Sequence, residues 1–98
     1  MLTGKQRAQL RGLANGISPV VQIGKQGLTP EVTAAADEAL EARELIKVSF
    51  LENAMVDIKE TAEALSGRTR SEIVSIVGRK VVLYRRSKTK VVIELNKR

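Results

Sequence analysis

The sequence predicts an α/β fold, a two-layer sandwich in which three helices pack on a four-stranded sheet in the order α-β-α-β-α-β-β. Three observations lead there. Short runs rich in β-branched residues, at 20–23, 45–51, 72–77 and 80–85, read as strands, and stretches of helical period separate the first three. Gly78-Arg79 between the last two runs marks a tight hairpin, so those strands are neighbours. Ninety-eight residues, 43% of them hydrophobic, suffice for one core and leave no room for a second.

Each element has local signals. Thr3 followed by Gln6 fits a capping box and starts a helix over residues 4–15. Leu10, Leu13 and Ala14 fall on one of its faces; Arg7 and Arg11, four apart, share another with Lys5 near it. Gly16 is the expected C-cap, and Pro19 forces an extended entry into the first strand, where Val20, Val21 and Ile23 read as buried. Gly24-Lys25-Gln26-Gly27 ends that strand. Thr29 and Pro30 then open a second helix as N-cap and first helical residue. It runs to Arg43, with Val32, Ala36, Ala39 and Leu40 facing inward and Glu31, Asp37, Glu38 and Glu41 making an acidic outer side. After the strand at 45–51, Asn53 is the expected cap of a third helix over 54–65. Met55, Ile58, Ala62 and Leu65 give its inner face, and Gly67 stops it. Residues 90–95 are apolar enough for a short edge strand or a docked tail. The expected organisation is one domain over residues 1–86 and a basic C-terminal tail over 87–98.

Composition excludes several function classes. The chain has no histidine and no cysteine, so the common nucleophile–base pairs, zinc sites and disulfides are absent. No metal, cofactor or small-molecule substrate is expected, and the expectation is a non-enzyme. No apolar run approaches the ~18 residues of a membrane span, and no signal-peptide pattern opens the chain, which fits a cytoplasmic protein. The net charge of +6 is distributed unevenly. Residues 1–28 carry four Lys/Arg and no acid, residues 29–66 three Lys/Arg against nine Asp/Glu, and residues 67–98 ten Lys/Arg against two Glu. A basic–acidic–basic layout makes one face positive while another stays negative, and a positive face concentrates polyanions.

The turn at Gly24–Gly27 is where a polyanion would be held. Glycine accepts positive φ and lets another backbone come close. The helix that follows begins with unpartnered N–H groups carrying partial positive charge, a natural resting place for phosphate. Lys25 adds a point charge. Candidate RNA contacts are therefore Gly24, Lys25, Gln26 and Gly27, joined by Lys5, Arg7 and Arg11 on the first helix, Arg68 and Arg70 before the third strand, and Arg85 and Arg86 in the densest basic run. Edge lysines in that run also deter sheet-to-sheet pairing, so Lys88 and Lys90 have a second explanation. Tyr84 and Phe50 are the only aromatics, and both read as packed. Recognition of backbone and shape is therefore expected, with little base stacking.

Three blocks carry a family resemblance: S-P-V-V-Q-I-G-K-Q-G-L-T at residues 18–29, E-A-L-E-A-R-E-L-I-K-V at 38–48 and G-R-K-V-V-L-Y-R at 78–85. In this order they resemble the CRM domain (chloroplast RNA splicing and ribosome maturation), and the whole chain is similar to its single-domain bacterial YhbY-like form over roughly residues 2–86. The resemblance implies the α-β-α-β-α-β-β fold, similar to the C-terminal domain of translation initiation factor 3. It also implies RNA binding with the G-x-x-G turn, here Gly24 to Gly27, at the contact surface. Its stand-alone bacterial members associate with precursors of the large ribosomal subunit, so rRNA of the pre-50S particle is the expected partner of a monomer. KH domains also use a G-x-x-G turn, but between two helices, whereas V-V-Q-I places a strand before this one. The family often has Ala-His before the first block; here Asn15 follows Ala14. Two alternatives remain open: an adaptor docking a basic protein through the acidic second and third helices, and an RNA chaperone or splicing cofactor.

Overall fold

The two inner strands of the sheet carry buried apolar residues on both faces, and that decides the layering. In the computed structural model, which describes residues 2–96, the elements are α1 (Gly4–Ala14), β1 (Val21–Ile23), α2 (Pro30–Arg43), β2 (Leu45–Phe50), α3 (Ile58–Thr69), β3 (Glu72–Val77) and β4 (Lys80–Tyr84). The strand order is β1-β2-β4-β3, with β1 parallel to β2 and the other pairs antiparallel. Because side chains alternate along a strand, Ile46, Val48, Phe50, Val81 and Leu83 face one way. They form a core with Val21, Ile23, Ala36 and Leu40 of β1 and α2 and Ala62 and Leu65 of α3. Leu45, Val82 and Tyr84 face the other way with Val74, and α1 covers them with Leu10 and Ala14.

The predicted α/β class, element order and four-stranded sheet are all present. The layer arrangement differs in one respect: α2 and α3 share a face, while α1 takes the opposite one. Strands apolar at successive positions need cover on both sides, and α1 supplies it for Leu45, Val82 and Tyr84. Leu13, expected on its packed face, is 47% exposed. Asn15, in right-handed helical conformation, caps α1 in place of Gly16, whose N–H bonds the Leu13 carbonyl at 3.2 Å.

The third helix also differs. Its N-cap is Asp57, whose carboxylate accepts from the Glu60 N–H at 2.8 Å. A charged cap interacts favourably with the helix dipole, as the Asn53 amide would not. Residues 51–56 are consequently a loop, and Met55, expected inward, is 87% exposed. Gly67 lies inside the helix, which continues to Thr69. The buried Thr69 hydroxyl donates to the Leu65 carbonyl at 2.8 Å, and Arg70, with φ 56°, ends the run.

That loop is the seat of the glycine turn. Leu51 N–H donates to the Ile23 carbonyl at 2.8 Å, and Gly27 N–H to the Gly24 carbonyl at 2.9 Å. Gly27 has φ 69°, and a Cβ there would lie 3.3 Å from Val56 Cγ1. Arg79, at the β3–β4 hairpin tip, pins the loop from behind. Its Nε donates to the Phe50 carbonyl at 3.1 Å and its terminal nitrogen to the Leu51 carbonyl.

Residues 87–96 form no strand. They run along α1 as an extended segment, with Gln9 Nε2 donating to the Glu94 carbonyl at 2.9 Å and Asn96 N–H to Gln9 Oε1 at 2.7 Å. Two carboxylates from the end of α2 clasp the segment. Buried Glu44 accepts from the N–H groups of Ser87, Val92 and Ile93 at 2.6 to 2.7 Å, and Glu41 accepts from the Ser87 and Thr89 hydroxyls and the Lys88 and Thr89 N–H groups. Burial alone would raise the Glu44 pKa, but the three N–H donors hold it below the ordinary carboxylate value. The hydroxyls of Ser87 and Thr89, with the two N–H groups, bring Glu41 down to about 2. Residues 97 and 98 of the expected tail lie outside the described residues.

Gly27→Ala is expected to lower unfolding stability by about 1–3 kcal/mol, since a side chain at left-handed φ is strained and here also meets Val56. Gly24→Ala should cost less, because its Cβ would meet the flexible Leu51 side chain at 3.4 Å and its φ is not left-handed. Urea midpoints at unchanged m-value check the pair. The clasp has a defined pH window. Both carboxylates have depressed folded-state pKa values, so their contribution is complete above the ordinary value of 4.5 and is lost as pH falls toward about 2 for Glu41. Hydrogen exchange at the Val92 and Ile93 amides should accelerate through that window, relative to other protected amides. Glu44→Gln should produce the same acceleration at pH 7, with a loss of about 1–3 kcal/mol.

Candidate nucleic-acid interface

Strand direction decides which candidate residues meet. β1 and β2 run parallel and end together at Ile23 and Phe50; antiparallel β4 starts at that end, with Lys80 opposite Ser49. The Gly24–Gly27 turn, the 51–56 loop and the Gly78-Arg79 hairpin tip therefore share one end of the sheet. At this turn end Lys25 and Gln26 are exposed, Gly24 is half-buried and Gly27 is buried. The Thr29 hydroxyl already accepts from the Val32 N–H at 3.2 Å, as the helix cap predicts. One α2 donor is thus engaged, and what the turn offers a phosphate is chiefly the Lys25 ammonium and the Gln26 amide.

The basic residues divide into three groups. Leu2 N–H bonds Glu72 Oε1 at 3.2 Å, which fixes the start of α1 at the far end of the sheet, so the helix runs toward the turn end. Arg11, exposed, lies in its last turn, while exposed Lys5 lies in its first. Arg68, Arg70 and Arg86, all exposed, border a cleft at the far end together with Lys88. Eleven helical steps, about 16 Å, separate Arg68 from Asp57 at the start of α3.

The third group is engaged within the protein. The Arg7 guanidinium donates to the Ile73 carbonyl and, at 3.4 Å, to the Val74 carbonyl. Those carbonyls lie where the β3–β4 register shifts between Ile73 and Ser75, and a bulge leaves backbone groups unpaired there. Arg85, its side chain 14% exposed, pairs with Asp37 at 2.5 Å and Glu41 at 3.4 Å and donates to the Thr69 carbonyl at 2.8 Å. Among the described residues these are the only ion pairs, so Lys25, Lys5, Arg11, Arg68, Arg70 and Arg86 keep their cationic heads for solvent or a ligand.

Phe50 and Tyr84 are both buried, so no aromatic ring is available for base stacking. Lys47 and Lys80 were not singled out in the sequence, because their strands read as apolar runs. Period-two alternation was the available signal: positions 45, 47 and 49 of β2 share a face, as do 80, 82 and 84 of β4, which places both lysines on the side of the sheet that carries α1.

Comparison with known proteins agrees with this architecture. The family model of the CRS1/YhbY (CRM) domain matches residues 2–85. The Bacillus subtilis protein named Probable RNA-binding protein YqeI is 47% identical over 95 residues, covering 97% of this chain and 99% of its own length. That match takes in most of the tail, which the sequence resemblance left aside. A Haemophilus influenzae protein named RNA-binding protein is 37% identical over 86 residues, covering 88% of this chain and 87% of its own. The solution structure of protein SAV1595 from Staphylococcus aureus, reported with a proposed RNA-binding role, superposes with a TM-score of 0.82 at 51% identity, covering 98% of this chain and all of that one. The chain belongs to the CRS1/YhbY (CRM) domain family.

Proposed function

We propose that this protein binds RNA without catalysis, holding the sugar-phosphate backbone of large-subunit ribosomal RNA precursors at the turn end of its sheet. The observation that carries the reading is the exposed Lys25–Gln26 pair on a turn whose two glycines are seated against the 51–56 loop. A turn whose backbone is already seated loses little freedom when a phosphate arrives at the lysine it carries. Arg11 extends the positive surface from α1. Arg68, Arg70 and Arg86 form a second basic group at the far end, within reach of a large folded RNA on a molecule 39 Å long. With both aromatics buried, contact with backbone and shape is favoured over base reading, which suits a structured rRNA element.

The adaptor alternative draws less support. Asp37, Glu41 and Glu44, from the acidic stretch that would dock a basic partner, are engaged by Arg85 and by the chain's own tail.

Binding to precursor rRNA should fall steeply with salt. Lys25→Ala should flatten the slope of log affinity against log salt by about one, alike for different RNA sequences, as expected for one lost phosphate contact. Its melting temperature should stay close to wild type, since an exposed substitution changes stability by only about 0.5 kcal/mol. In a sucrose gradient of cell lysate the protein should sediment with large-subunit precursors. Sedimentation as free protein at low salt, or an unchanged slope for Lys25→Ala, contradicts the proposal.

A further inference from the structure

We propose that Lys47, Lys80 and Arg11 form a second phosphate-binding cleft on the α1 face of the sheet, which receives the RNA backbone as it leaves the glycine turn. The inference rests on the RNA reading and adds two contacts that lie outside the turn. The three cations line a concavity of about 300 Å³ that also contains the Ser75 and Asn15 side chains and is floored by Val82. No carboxylate lines it, and none of the three cations is in an ion pair among the described residues. Lys47 is half-buried, so its stem is packed on the sheet and its ammonium has a restricted range.

The register explains why this is a site for an anion. Lys47 lies opposite Val82, and Lys80 lies two residues earlier on the same strand as Val82, so the lysines are diagonal cross-strand neighbours, a spacing of about 7–8 Å. Like charges at this spacing with no acid between them repel each other in the folded state, and an anion bound between them removes that repulsion. Edge protection does not account for them, because β2 and β4 are the two inner strands. α1 packs on this face over Leu45, Val74, Val82 and Tyr84, and its last turn, with Arg11, Ala14 and Asn15, forms one wall of the cleft beside Lys47 and Lys80.

The cleft is also continuous with the turn. Gln22 pairs with Ser49, and Ser49 pairs with Lys80, so these three cross adjacent strands on one face. Two strand spacings, about 10 Å, separate Gln22 from Lys80, and Gly24 follows two residues after Gln22. That is within the span of the roughly four nucleotides that a G-x-x-G turn clamps in KH domains.

The test uses a fluorescein-labelled RNA hairpin with a single-stranded loop, titrated across a salt series with wild type, Lys25→Ala, Lys47→Gln/Lys80→Gln and a charge-matched control, Lys59→Gln/Arg43→Gln. Two lost phosphate contacts should flatten the salt slope by about 1.5 for the cleft variant, additively with Lys25→Ala and well beyond the control. Its urea midpoint should be equal to wild type or higher, because a repulsion has been removed. A slope unchanged from wild type, or changed no more than in the control, while Lys25→Ala still flattens it, overturns the cleft and leaves the turn as the RNA site. Slopes unchanged in every variant overturn both.

Discussion

The turn end of the sheet, where we place RNA, depends on one close approach, that of Gly27 to Val56. A left-handed φ and a missing Cβ let the turn lie flat on the loop that follows β2. The same loop is tied to β1 through the Ile23 carbonyl and to the β3–β4 hairpin through Arg79. The ends of all four strands are thereby fixed relative to one another, and Lys25 and Gln26 project from a rigid base. A binding loop is usually mobile and loses entropy when a ligand orders it. Here packing has already ordered the loop in the free protein.

Charge is sorted by the same architecture. A net charge of +6 suggests a uniformly basic surface, but Arg7 and Arg85 are structural cations and Glu41 and Glu44 are structural anions. Glu44 sits at φ 66°, where glycine is the usual occupant at the end of a helix. The strain of that conformation is offset by a carboxylate that accepts three N–H groups of the tail. Two carboxylates of the acidic middle of the sequence, Glu41 and Glu44, thus hold the basic C-terminal segment against the domain. The cations left unpaired gather at the two ends of the domain, and those at the turn end stand nearest the glycines.

Much of this was legible in the sequence, and the misses have physical causes. Capping signals gave the starts of α2 and α1, because Thr29-Pro30 and Thr3 with Gln6 act through local hydrogen bonds that the fold does not override. Local signals failed where two caps competed: Asn53 and Asp57 both suit an N-cap, and the charged residue prevailed. They failed again at Gly67, where burial of Thr69 carried the helix past a residue that often ends one. The element order was readable from periodicity. The side of the sheet taken by α1 was not, since it depends on β2 and β4 being apolar at successive positions. The glycine turn was legible as the connection between β1 and α2, whereas the internal roles of Arg7 and Arg85 depend on a β-bulge and on contacts 16 to 67 residues away in the chain. Lys47 and Lys80 were hidden because a strand buried at most positions reads as a core element throughout.

The central claim is that RNA backbone is held at the turn end of the sheet. Ultraviolet crosslinking of the protein to large-subunit precursor particles, followed by mass spectrometry of the crosslinked peptides, tests it most directly. The account predicts crosslinks concentrated in the peptides that contain Lys25–Gln26 and the strand residues Lys47 and Lys80. Crosslinks confined to peptides of the far end, around Arg68, Arg70, Arg86 and Lys88, would contradict it.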